Sequence, residues 1–282
     1  MVLTDHFASL NEQFLSATMC PEDRIDLVHA ALLISRLAYP DLDEPFYLAE
    51  LEELGRRLRA MTEGLGDAGR IAQMMARLLC EEEGFRGNSK DYYDPDNSYL
   101  NRVLDRRTGS PISLCLVYME VGRRAGLSVR GIGMPGHFIA GLYSGGRRCL
   151  VDPFHCGVVL DEEECRRRVA VQHGGFKPFG PRLLDPAPPK RMLVRLLRNL
   201  RGIYTHRSEG IKSFQIIEWI VALDPHAADE YKMRGYIYEG MGAFDLAVRD
   251  MEKYLSLTLD PPDAQAIHTR IEELGKKTSR LH

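Results

Sequence analysis

No stretch of the 282-residue sequence approaches the roughly 18 consecutive apolar residues of a membrane span. The opening MVLTDHFASLNEQF has neither a basic leader nor an apolar run behind it, so no signal peptide is read there. Charge of one sign is not in excess. The net charge is −3 with both signs interspersed, which argues against a nucleic-acid-binding surface and against an acidic tail. Paired cysteines are missing as well. Cys20, Cys80, Cys115, Cys149, Cys156 and Cys165 are scattered, none in a C-x-x-C pair, and a chain of this size needs no disulfide framework. A reduced, cytoplasmic setting is the expectation. What is present is a globular balance, 44% apolar and 27% charged, with length for one large domain or two ordinary ones.

Apolar periodicity divides the chain. PEDRIDLVHAALLISRLAYP places Ile25, Val28, Leu32 and Leu33 at helical spacing and stops at Pro40. EPFYLAELEELGRRLRAM and AGRIAQMMARLLCEEEGF repeat that pattern, so residues 1–84 read as a helical part packed on a core. Residues 85–173 read as that core, a mixture of helix and strand. ISLCLVYMEVGRRAG predicts a helix, and SVRGIGM, HFIAGLY and RRCLVDPF predict short strands separated by turn residues. Residues 174–190 are proline-rich and read as a linker or an irregular wrap. Beyond them, residues 191–282 are helical and repeat. Tyr204 and Tyr238, and likewise Ser213 and Ala247, are spaced by one tetratricopeptide period of about 34 residues. Gly235 and Gly242 fall at small-residue positions, and DAQAIHTRIEELGKK reads as a capping helix. About five helices in antiparallel pairs are expected.

The chemistry gathers in the middle. Ser110 is a good N-cap and Pro111 a good first helical residue. A cysteine at such a helix start would have a lowered pKa, a neighbouring histidine could act as its base, and an aspartate could fix the imidazole tautomer. His137 and Asp152 lie in successive apolar strands across a Gly-Gly turn, so they are expected to be hydrogen-bonded, with the helix start facing them.

Residues 109–154 resemble the core of the transglutaminase-like superfamily, in which G-x-C opens a helix and a histidine strand and a D-P strand follow. Gly109, GLSVR from Gly126, His137 and DPF from Asp152 fit that layout. The family's cysteine position is occupied by Pro111, and Cys115 takes the small-residue place one turn deeper. NSYLNRVLDRRTGSPISL, PGHF and VDPF, followed by tetratricopeptide-like helices, are similar to the SirB-type bacterial transglutaminase-like/TPR proteins. The resemblance implies an α+β, cysteine-proteinase-like domain with a helical N-terminal part and C-terminal TPR-like helices.

Bland readings compete with each candidate. His137 can simply bond a buried acceptor, and Asp152 can be a turn residue before Pro153. Ser110 is explained by capping, whereas Ser113 is a candidate replacement nucleophile and Cys115 reads as a buried, inert thiol. The cluster of His137, Asp152, His155 and Cys156 contains metal-ligand types, but D-x-x-H-C matches no known spacing and adjacent ligands rarely reach one ion, so no metal or cofactor is expected. Asp96, Tyr99 and Asn101 are either pocket walls or a loop packing its own tyrosines. Two functions remain open. One is a non-catalytic protein-interaction or regulatory protein with a vestigial His137–Asp152 pair, its partner a protein or peptide and neither nucleic acid nor membrane. The other is a hydrolase or transferase of amide bonds using His137, Asp152 and Ser113.

Overall fold

Aspartates set the starts of the early helices. The computed structural model describes residues 2–172 and 180–278. After α1 (Val2–Thr18), Asp26, Asp43 and Asp67 each accept backbone N–H groups from the first turn of α2 (Leu27–Ser35), α3 (Glu44–Thr62) and α4 (Ala68–Ala76). Those donors have no partner within the helix, and the carboxylate supplies one. The chain past α4 widens into a π-helical stretch, Arg77–Glu82. Helix α5 (Leu100–Arg106) precedes α6 (Pro111–Arg124), which begins on Ser110 and Pro111 as their capping chemistry requires.

The chain forms two compact units. One comprises Ser16–Leu196; the other joins the first helix, as far as Leu15, to the chain from Leu197 onward.

In the first unit, β1 (Arg86–Gly87) and β2 (Thr108–Gly109) form a two-residue parallel pair. The main sheet is antiparallel in the order β3 (Ser128–Met134), β4 (His137–Ser144), β5 (Arg147–Asp152), β6 (Val158–Leu160). Gly145 and Gly146 join β4 to β5 with φ of +57° and +72°. A two-residue hairpin turn with two positive φ values matches the twist of the strands, and glycine meets that demand without a steric cost.

The sheet is covered on both faces. On one, Ile132, Met134, Ile139 and Leu150 pack with Cys165 and Val169 of α7 (Glu162–Gln172). On the other lies the alternate row, Phe138, Ala140 and Leu142, all buried. Helix α6 packs against that row: Met119 Sδ lies 3.1 Å from where a Cβ on Gly131 would stand, and Val129 Cγ2 2.5 Å from one on Gly122. Of the proline-rich stretch 174–190, residues 174–179 lie outside the described residues. The described part wraps the sheet as a short 3-10 helix (Pro181–Leu184) with Leu184 buried, and the Ala187 N–H donates to Gly131 O at 2.8 Å.

Among the six cysteines, Cys80 and Cys156 form a disulfide with Cα atoms 5.3 Å apart. This corrects the expectation that the cysteines stay unpaired. The turn after Asp152 carries Cys156 to the end of the π-helical stretch, a meeting across 76 residues that no local spacing announces. Cys20, Cys115, Cys149 and Cys165 are free thiols.

In the second unit, α8 (Pro189–His206), α9 (Gly210–Leu223), α10 (Ala228–Gly240), α11 (Phe244–Leu257) and α12 (Ala264–Thr278) follow one another through short turns. These are the five helices that the repeat predicts. Tyr204 and Tyr238 fall on α8 and α10, and Ser213 and Ala247 on α9 and α11, so the 34-residue offset joins equivalent helices of successive pairs. Ala247, Met251, Tyr254, Ile267 and Leu274 form their core. The first helix joins this unit: Phe14 stacks on Trp219 with ring centroids 4.4 Å apart, and Asn11 Oδ1 accepts from Trp219 Nε1 at 3.0 Å.

Candidate functional site

His137 opens β4 directly after Pro135 and Gly136, and Asp152 closes β5 before Pro153. By strand alternation His137 shares a row with Ile139 and Asp152 with Leu150, both members of the cluster under α7. The pair is therefore brought together on one face, and His137 Nε2 stands 2.9 Å from Asp152 Oδ2. The expected hydrogen bond is present. Helix α7 packs on this row through Cys165 and Val169.

Asp152 is completely buried and surrounded by donors. Its Oδ1 accepts the backbone N–H groups of Phe154 and His155 at 3.1 and 3.3 Å, which caps the 3-10 turn Pro153–His155. That turn brings the His155 ring back, so that Nδ1 lies 2.8 Å from Oδ2. Arg168 Nη1 of α7 donates to the same oxygen, while its Nε donates to Glu164 Oε1 at 3.0 Å. Burial alone would raise the Asp152 pKa, but the hydrogen bonds and charges of His137 and His155 outweigh it and hold the value at about 2. The turn also depends on Gly87, since a Cβ there would stand 2.4 Å from the Phe154 ring. His137, His155, Glu164 and Arg168 line a cleft of about 470 Å³.

The candidate nucleophiles are engaged elsewhere. Pro111 is buried at the first position of α6. The Ser113 hydroxyl donates to Asn97 O at 2.6 Å and forms a reciprocal capping box with Ser110. Ser113 is fully buried, as is Cys115, whose thiol donates to Ile139 O and whose pKa is pushed up by burial. Among the described residues, no hydroxyl or thiol hydrogen-bonds the His137 ring. Asp96, Tyr99 and Asn101 do not line the cleft beside His137. Tyr99 is in the core, and Asp96 is held by Tyr39 and Arg102. Asn97, from the same segment, supplies the carbonyl that anchors the start of α6.

Three residues of the site escape a triad-centred reading. His155 stands three places after an aspartate that caps its own turn, the one local sign that its ring returns to that carboxylate. Arg168 and Glu164 carry no sign, because EEECRRRV reads as an ordinary charged helix face.

The family comparisons agree with this architecture. The transglutaminase-like superfamily matches residues 46–198, and tetratricopeptide repeats match residues 200–272. A UPF0162 protein of Xylella fastidiosa is 33% identical over 264 residues, covering 93% of this chain and 94% of its own length. A UPF0162 protein of Pseudomonas aeruginosa is 30% identical and covers 91% of this chain and 94% of its own length. Human F-box only protein 21 is 27% identical over 75% of this chain and 36% of its own length. With these matches over nearly its whole length, the chain belongs to the transglutaminase-like superfamily, among the bacterial UPF0162 proteins, and carries C-terminal tetratricopeptide repeats.

Proposed function

We propose that the protein is a non-catalytic interaction or regulatory protein. Its His137–Asp152 pair is a vestige of a nucleophilic triad. The observation that carries this reading is the start of α6, where Pro111 holds the family's nucleophile position and Ser113 spends its hydroxyl on Asn97. A buried serine with no base beside it keeps an alcohol's high pKa and does not attack an amide.

The repeats supply the surface for a protein or peptide partner. Stacked helix pairs present extended grooves, and α10 and α11 border one of about 610 Å³ lined by Tyr231, Arg234, Tyr238, Leu246, Arg249 and Lys253. Arg234 is fixed there by Asp250 and Glu218 and lies over the rings of Tyr231 and Tyr238, so the wall is rigid before a partner arrives. Rigid aromatic anchors lower the ordering cost of association.

A second reading, hydrolysis or transfer at amide bonds, draws on the intact His137–Asp152 hydrogen bond beside an open cleft. One assay separates the two. The full chain is incubated with a glutamine-containing peptide, with and without a primary amine, and the products are weighed by mass spectrometry. The expected result is no hydrolysis or transamidation above the level of His137→Ala. Turnover that disappears in His137→Ala establishes the enzyme and removes the first reading.

A further inference from the structure

We propose that His137, Asp152 and His155 form a binding site for a divalent transition-metal ion, with zinc-like ligand preferences, that opens on the cleft beside α7. This goes beyond the reading of the pair as a vestige, because it gives the same residues a present role that needs no nucleophile.

The donor set is the first argument. His137 Nε2, His155 Nδ1 and Asp152 Oδ2 all lie within 4.8 Å of one another. Two imidazoles and one carboxylate are a set that zinc and other first-row ions accept, with the remaining positions left to water or ligand. Both nitrogens already converge on one oxygen, at 2.9 and 2.8 Å. An ion bound at roughly 2.0–2.2 Å from each donor needs them a few tenths of an ångström further apart, a shift that the exposed His155 side chain, 54% accessible, is free to make.

Preorganisation is the second. The three ligands come from a strand start, a strand end and a 3-10 turn, so the backbone rather than side-chain flexibility fixes their spacing. Asp152 Oδ1 is taken by two backbone N–H groups, which orients Oδ2 toward the imidazoles. Cys156, the remaining ligand type in the sequence cluster, is bound to Cys80 and takes no part.

Arg168 is the third. Its guanidinium touches Asp152 Oδ2 and so supplies the positive charge that a fully buried carboxylate requires. It is also bonded to Glu164 through Nε. An incoming cation replaces Arg168 at Oδ2, and Arg168 turns wholly onto Glu164. The displacement sets a cost on binding that removal of the guanidinium abolishes.

The test titrates the full chain, disulfide intact, with Zn²⁺ by calorimetry and with Co²⁺ by visible absorption, at pH 7.5. The expected result is one ion per chain, and Co²⁺ bands without a sulfur charge-transfer feature. His155→Ala, at an exposed position that does not threaten folding, lowers affinity about tenfold or more, and Arg168→Gln raises it by a similar factor. No saturable binding by the wild type at millimolar ion overturns the proposal, and so does binding that His155→Ala leaves unchanged. Binding by Arg168→Gln alone overturns it too, since the native chain would then keep the site closed.

Discussion

The ionisation of Asp152 is tied to folding. Its folded pKa of about 2 lies below the value of about 3.9 for an unfolded aspartate. A depressed carboxylate contributes stability above the unfolded pKa and loses it as pH falls through the folded one. The window is therefore about pH 4 down to pH 2, and the amount is on the order of 2 kcal/mol. Asp152→Asn, followed by urea unfolding, should cost about 2–4 kcal/mol at pH 7 because it removes the buried charge that Arg168, His137 and His155 share, and the difference from wild type should shrink toward pH 2. A difference that stays constant with pH contradicts the assignment. The His137–Asp152 contact was legible in the sequence because PGHF and VDPF flank a Gly-Gly turn, and a two-residue hairpin fixes cross-strand register. Arg168 was not legible, since a charge on an amphipathic helix reveals no partner until the helix is docked. Nor was Cys80–Cys156, because disulfide connectivity leaves no mark in spacing.

At the scale of elements, the start of α6 decides whether chemistry is available. Ser113 spans it: the hydroxyl donates to Asn97 O, accepts the Ser110 N–H at 3.0 Å and is buried throughout. Ser113→Ala should lower unfolding stability by about 1–3 kcal/mol, the usual consequence of leaving buried groups without a partner. Unchanged stability in thermal or urea unfolding contradicts a structural role for that hydroxyl. The hairpin carries a second prediction. Gly146→Val should cost more than the roughly 1–2 kcal/mol that a left-handed conformation imposes on ordinary L residues, read as a lower midpoint in urea; a neutral effect contradicts the turn. Cap residues and glycine turns made α3, α6 and the three central strands readable from sequence. Helix α7 was readable only as a helix, because its docking on the His137 row depends on contacts that its own 11 residues do not specify. The π-helical stretch escaped for a similar reason: residues 77–82 continue the apolar pattern of α4.

At the scale of the whole molecule, the repeat period announced the C-terminal helices, whereas the place of α1 among them rests on contacts between Asn11 and Trp219, 208 residues apart. Long-range pairing of this kind has no sequence period to reveal it. Trp219 is the chain's single tryptophan, so its fluorescence reports on this unit alone. Phe14→Ala removes the ring stacked on it and should shift the fluorescence transition to lower urea, by about 3–5 kcal/mol of stability; an unmoved transition contradicts the assignment of α1 to these helices. The central claim concerns chemistry: among the described residues, no side chain serves His137 as a nucleophile. Its most direct test is peptide-mapped labelling of the folded, full-length protein and of His137→Ala, with iodoacetamide for the free thiols and a fluorophosphonate for serines. The account predicts that Cys115 and Ser113 are modified only as fast as the protein unfolds, and equally in both proteins. Rapid modification of either residue in the folded wild type, slowed by His137→Ala, contradicts it.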